Sequence, residues 1–264
     1  MFRTVIGKTL FEKRWTILWW SLALLITNIL VIQLFPAMRD AFATMTQNLP
    51  PELEVWFGAE GEIWTSLRGY VNLEIMSQMA IATIVFAIVF SLSIFASEEN
   101  SGVMLTQLSR PVRRWSFLLQ KFVAFIIATI LVMVGFYLGT FLGSVILNDI
   151  IPLGDLFLPM VAVTLLTIVF GALTLAISAI SGSKAVAGVV VGCYALAGYF
   201  ITSLSGTADI LVTLSKATPF HYYNTPSVME NGFELHNVII LLALIVVPIL
   251  IALPIFSKRD LNTR

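Results

Sequence analysis

Apolar residues fall into six long blocks separated by short charged stretches. No Asp, Glu, Lys or Arg occurs in residues 15–38, 75–97, 122–148, 156–183, 185–208 or 235–257, blocks of 23 to 28 residues each. A bilayer core is about 30 Å thick and an α-helix crosses it in about 20 residues, so every block is long enough to span. The second block holds 11 Leu, Ile, Phe and Val. At about −0.3 to −0.6 kcal/mol each, these favour insertion by roughly 3–7 kcal/mol before polar residues are counted. The pattern predicts an all-α integral membrane protein, a bundle of six transmembrane helices forming one domain over residues 1–264. The first block is longer than the roughly 7–15 residues of a signal-peptide core and reads as a retained span.

Composition narrows the classes. With 58% hydrophobic and 11% charged residues the chain cannot clothe a soluble surface. Its net charge of zero leaves no basic excess to release counterions from nucleic acid. That zero hides an asymmetry. With the N-terminus in the cytoplasm, 12 of the 15 basic residues lie inside, and only Arg39, Arg68 and Lys216 lie outside. The positive-inside rule therefore predicts cytoplasmic N- and C-termini. The single cysteine, Cys193, forms no intramolecular disulfide and is expected to be a small buried hydrophobe.

Between the spans, residues 1–14 read as an interfacial helix, with Phe2, Val5, Ile6 and Leu10 at helical spacing among Arg3, Lys8 and Arg14. Such a helix is either an in-plane element that takes up motion from a partner or a basic anchor. The aromatics of 50–73 and of Thr218 to Tyr223 fit a headgroup-level belt on the outer side. Gly135, Gly139 and Gly143 repeat every four residues in the third span, and Gly188 and Gly192 in the fifth. This spacing lets a helix backbone approach closely that of a neighbouring helix or of a second copy in lipid, and in the third span it favours packing within the chain.

Catalytic and coupling chemistry is missing from the sequence. No Asp, Glu, Lys, Arg or His sits in the middle of any of the six blocks, whereas proton- or sodium-coupled carriers keep a carboxylate or histidine at mid-depth. The only histidines are His221 and His236, and neither His-Glu-x-x-His, Gly-x-Ser-x-Gly nor a phosphate-binding Lys-Ser/Thr loop occurs. The reading is of a protein that is not an enzyme, binds no cofactor or metal, and draws energy from another subunit.

The segment 98–116 carries the remaining information. Gly102 permits a tight bend after the acids Glu98 and Glu99. Met104, Leu105 and Leu108 fall on one helical face that could enter a groove on a partner. Ser109 and Pro111 read as an N-cap and an early helix position restarting the chain, followed by Arg113 and Arg114 at the interface. Acids before the bend and bases after it would form a charge-patterned surface. From the residues alone, a docking element and a plain turn are equally good readings, and a non-transporting scaffold or sensor partner is an alternative function.

This run resembles the coupling segment of ABC-2 type transporter permeases, approximately Glu-Glu-x-x-Gly-Thr-Leu-Glu-Leu-Leu-Leu-Ser-x-Pro-Val-Ser-Arg. Glu98, Glu99, Gly102, Leu108, Ser109, Pro111, Val112 and Arg114 match, while Val103, Leu105, Thr106 and Gln107 depart from it. Further similarity lies in residues 69–74, in Pro219 to Tyr222, and in Phe256, Arg259, Asp260 and Leu261. The resemblance implies a plasma-membrane permease subunit that pairs with a second copy or a homologous permease. It also implies docking of cytoplasmic ABC ATPase subunits that bind the ATP. Closure of the ATPases would be passed through the loop and the N-terminal helix, moving substrate outward along a path flanked by the second and fifth spans.

Overall fold

The computed structural model describes residues 4–46, 66–104, 113–223, 228 and 232–259. Among them there are helices and no strands. Helix α1 (Val5–Glu12) is capped by the Thr4 hydroxyl, which accepts from the Gly7 N–H, and ends at Lys13. The chain then enters the first of six helical spans, Arg14–Thr44. This one is built from α2 (Arg14–Gln33) and α3 (Phe35–Thr46), joined where Leu34 and Pro36 interrupt the helix.

The other spans run over Leu67–Asn100, Arg114–Ile146, Leu153–Ser181, Lys184–Ser203 and Leu235–Lys258. The first three reach past the charge-free blocks. Helix propensity and end contacts continue a helix beyond the hydrocarbon, so charges mark where lipid ends, not where the helix does.

The fourth span is the centre of the bundle. It packs against the second, third, fifth and sixth, while the first packs mainly on the third. Accordingly 72% of the fourth span's apolar window is buried, against 22% for each of the first, fifth and sixth. The bundle has a basal end, carrying α1 and Lys258, and an opposite distal end.

Glycines decide the closest contact. A Cβ on Gly139 would stand 2.5 Å from the Leu25 carbonyl oxygen, and one on Gly143 2.7 Å from the Ile32 side chain. Gly135 meets Ser21 in the same way. The three-glycine stripe therefore seats the first span on the third, inside the chain. Asn28 fastens the seam by donating to the Phe136 carbonyl at 3.0 Å and to Thr140 Oγ1 at 3.1 Å. Such interhelical bonds contribute about 0.6–1.7 kcal/mol in lipid. Gly171, not singled out by spacing, admits the Phe125 ring between the third and fourth spans.

On the fifth span the same spacing meets less within the chain. Gly188 faces only Leu92, at 3.2 Å, and nothing lies within 4 Å of a Cβ at Gly192. Cys193 is exposed on that span rather than buried. An apolar run says that a residue avoids water, but not whether lipid or protein covers it.

The second span is interrupted twice. Helix α4 (Leu67–Tyr70) passes into a π segment, Val71–Gln78, and then α5 (Ala80–Ile94). In the π segment the Met79 N–H reaches five residues back to the Glu74 carbonyl at 3.1 Å. At the basal end Phe95 leaves helical geometry (φ −124°, ψ −74°) and separates α5 from the short α6 (Ala96–Asn100). The remaining helices are α7 (Arg114–Ile146), α8 (Leu153–Ser181), α9 (Lys184–Ser203), α10 (Asp209–Ser215), α11 (Pro219–Tyr223) and α12 (Leu235–Lys258).

Candidate functional site at the basal end

The Phe95 break gives α6 its own direction. The Phe95 ring lies 5.2 Å from that of Phe256 and 6.4 Å from that of Phe117, centroid to centroid, which anchors the break among the second, third and sixth spans. Beyond it, Glu98 and Glu99 are buried, 8% and 3% exposed. The expected charge-patterned surface is thus absent at these two acids. Two buried carboxylates in sequence demand two cations, because an unpaired charge out of water costs several kcal/mol.

Lys121 is the first cation. It sits in α7 with no exposed surface, and its Nζ donates to both Glu98 carboxylate oxygens at 2.7 Å. A third bond reaches the Thr9 hydroxyl of α1 at 2.9 Å. The same helix holds α1 a second time, since the Val5 N–H donates to Gln120 Oε1 at 3.0 Å. The N-terminal helix is therefore bonded directly to Gln120 and Lys121 of α7, and through Lys121 to Glu98 at the start of the 98–116 loop.

Arg259 is the second cation. Its guanidinium donates to Glu99 Oε1, while its carbonyl accepts from Arg114 Nη1 at 2.6 Å. It lies against Gly182, where a Cβ would strike the guanidinium. Gly182 also closes α8 in the left-handed conformation, φ +65°. Only glycine meets both demands easily. Glu99 Oε2 and Arg259 Nε have no hydrogen-bond partner among the described residues, unlike the doubly bonded Glu98.

The loop leaves through Gly102, whose φ of +74° requires the left-handed region and whose N–H returns to the Glu99 carbonyl at 3.1 Å. Met104 departs from expectation. It is 1% exposed and belongs to the chain's own apolar core, so it presents no surface to a partner. The turn at Gly102 sends it inward. Leu105, Leu108, Ser109 and Pro111 lie outside the described residues. Helix α7 begins at Arg114, with Arg113 as its N-cap.

The distal end is tied by aromatics. Phe220 packs on Phe170 at 5.5 Å and on Tyr199 at 6.1 Å. Tyr223 donates to the Met76 carbonyl in the π segment, and Tyr199 to Gln78 Oε1 at 2.6 Å. Phe220 and Tyr223 are buried, so part of the expected belt is core.

Sequence reasoning passed over Lys121 and Thr9. The available signal was two adjacent acids at the end of an apolar block, which need cations from neighbouring helix ends. His, Cys, Asp and Glu form no metal-binding cluster among the described residues.

The six spans and the polar knot beneath them define a polytopic membrane protein. The chain belongs to the ABC-2 family of transporter proteins, whose family model matches residues 9–261. No curated protein matches it.

Proposed function

We propose that this chain is the permease subunit of an ABC exporter in the plasma membrane, its termini cytoplasmic, working with a second permease copy. A separate cytoplasmic ATPase subunit binds and hydrolyses ATP, and its movement enters the bundle through residues 98–116 and α1. The observation that carries this reading is the double clamp on Glu98 and Glu99. A push on the loop beyond Gly102 reaches α6, and from there the third span and α1 through Lys121, and the fourth and sixth spans through Arg259. Buried ion pairs in a packed setting move together or break; they do not stretch. The two clamps differ in strength. Glu98 keeps both oxygens on Lys121, whereas the Glu99–Arg259 pair has unbonded atoms and is the one that releases.

The reading predicts an ATPase gene adjacent to this one, and the test is reconstitution of the chain with that ATPase. Gly102→Pro and Leu108→Asp should abolish permease-dependent stimulation of ATP hydrolysis while the chain still inserts in the membrane. Unchanged stimulation in both variants would refute coupling through the loop.

A further inference from the structure

A groove of about 490 Å³ runs along the outside of the first span. Leu18, Leu22 and Leu25 line it, with Leu131 of the third span across from them, Leu10 of α1 below, and Arg14 at its basal mouth. Arg14, Leu18, Leu22 and Leu25 follow one another at steps of four, four and three residues, a stripe along one helix face. From Arg14 to Leu25 the stripe rises about 16 Å at 1.5 Å per residue. That is close to one leaflet of hydrocarbon, about 15 Å.

The mouth carries an uncompensated charge. Arg14 Nη1 donates to the Phe11 carbonyl at 2.7 Å and its guanidinium lies 3.9 Å from the Phe11 ring centroid. Among the described residues no carboxylate is within ion-pair distance of it. The three described acids at that end are already engaged: Glu12 with Lys8 at 3.7 Å, Glu98 with Lys121, and Glu99 with Arg259. Trp15, whose ring lies 5.9 Å from the Arg14 guanidinium, and Trp19 are exposed, side chains suited to the headgroup level.

We infer that this groove holds one acyl chain of an anionic phospholipid whose phosphate sits on Arg14. A one-leaflet apolar channel ending at a guanidinium with no carboxylate partner among the described residues matches a lipid in length and in charge. A second copy seated here would offer Arg14 no described carboxylate without an existing partner, since Glu98 and Glu99 are buried in their own pairs and Glu12 meets Lys8. The lipid is a structural ligand that braces the first span and α1 against the third span. The inference rests on the membrane-spanning fold and not on the transport reading.

Native mass spectrometry of the full chain in detergent tests it, with dioleoyl phosphatidylglycerol and dioleoyl phosphatidylcholine as competing probes. The wild type should retain one phosphatidylglycerol per chain in preference to phosphatidylcholine. Arg14→Gln should weaken that retention about fivefold, the loss of one cation's attraction, while Arg14→Lys keeps it. Leu18→Trp, which fills the groove but leaves Arg14, should also lose the bound lipid. Equal retention of the two lipids, or retention of phosphatidylglycerol unchanged in both Arg14→Gln and Leu18→Trp, would overturn the assignment. So would a disulfide-linked dimer of Leu22→Cys formed in membranes in a Cys193→Ser background, which would place a second copy in the groove.

Discussion

Replacing Glu98 by leucine strands the Lys121 ammonium in a site with no exposed surface. Of its bonds to Glu98 and Thr9, only that to the Thr9 hydroxyl, at 2.9 Å, would survive. Removing one partner of a buried pair costs about 3–5 kcal/mol. At about 2–4 °C per kcal/mol for a chain of this size, the unfolding midpoint should fall by roughly 6–20 °C. Tryptophan fluorescence during heating of the purified chain in detergent reports it. The informative arm is Glu98→Leu combined with Lys121→Met, which removes both charges and keeps their volume. Such apolar replacements of buried pairs are neutral or stabilising by about 1–4 kcal/mol, so the double variant should recover to near the wild-type midpoint. The two substitutions are then strongly coupled in a double-mutant cycle. If the double variant instead loses the sum of the single losses, Glu98 and Lys121 are not paired in the membrane-embedded protein, and the clamp reasoning fails.

Four further outcomes follow from particular positions. Gly139→Ala should destabilise by at least about 1–3 kcal/mol, because its methyl would stand 2.5 Å from a backbone oxygen that cannot step aside. Gly192→Ala, with open space around it, should be neutral or gain up to about 1 kcal/mol of helix propensity; a loss at Gly192 comparable to that at Gly139 would mean another chain covers that face. Gly102→Val should cost about 1–2 kcal/mol through its positive φ alone, with Gly102→Asn milder, as compared by thermal unfolding. Tyr223→Phe should remove about 1 kcal/mol and speed hydrogen exchange at the π-segment amides near Met79, read by mass spectrometry of peptides covering residues 71–80; unchanged exchange would show that the tyrosine does not hold that segment.

How much was legible in the sequence depends on what each residue's signal encodes. Six spans could be read because desolvating charge in lipid is so costly that its absence over 20 residues is diagnostic. The bend at Gly102 was legible because only glycine takes its backbone angles easily, and the glycine stripe of the third span because close helix approach needs small residues at that period. The π segment was not, since it depends on partners such as Tyr223 and Tyr199 that are more than a hundred residues away.

The chain's order of polar and apolar residues therefore determined its class, its number of spans and the place where a polar loop interrupts them. These are one-dimensional consequences of solvation. Tertiary structure alone decided that Glu98 meets Lys121 and Thr9, that Glu99 meets Arg259 above Gly182, and that Met104 turns inward. A charge in sequence declares only that it must be neutralised. Which cation neutralises it is set by how six helix ends are brought together, and that is a property of packing.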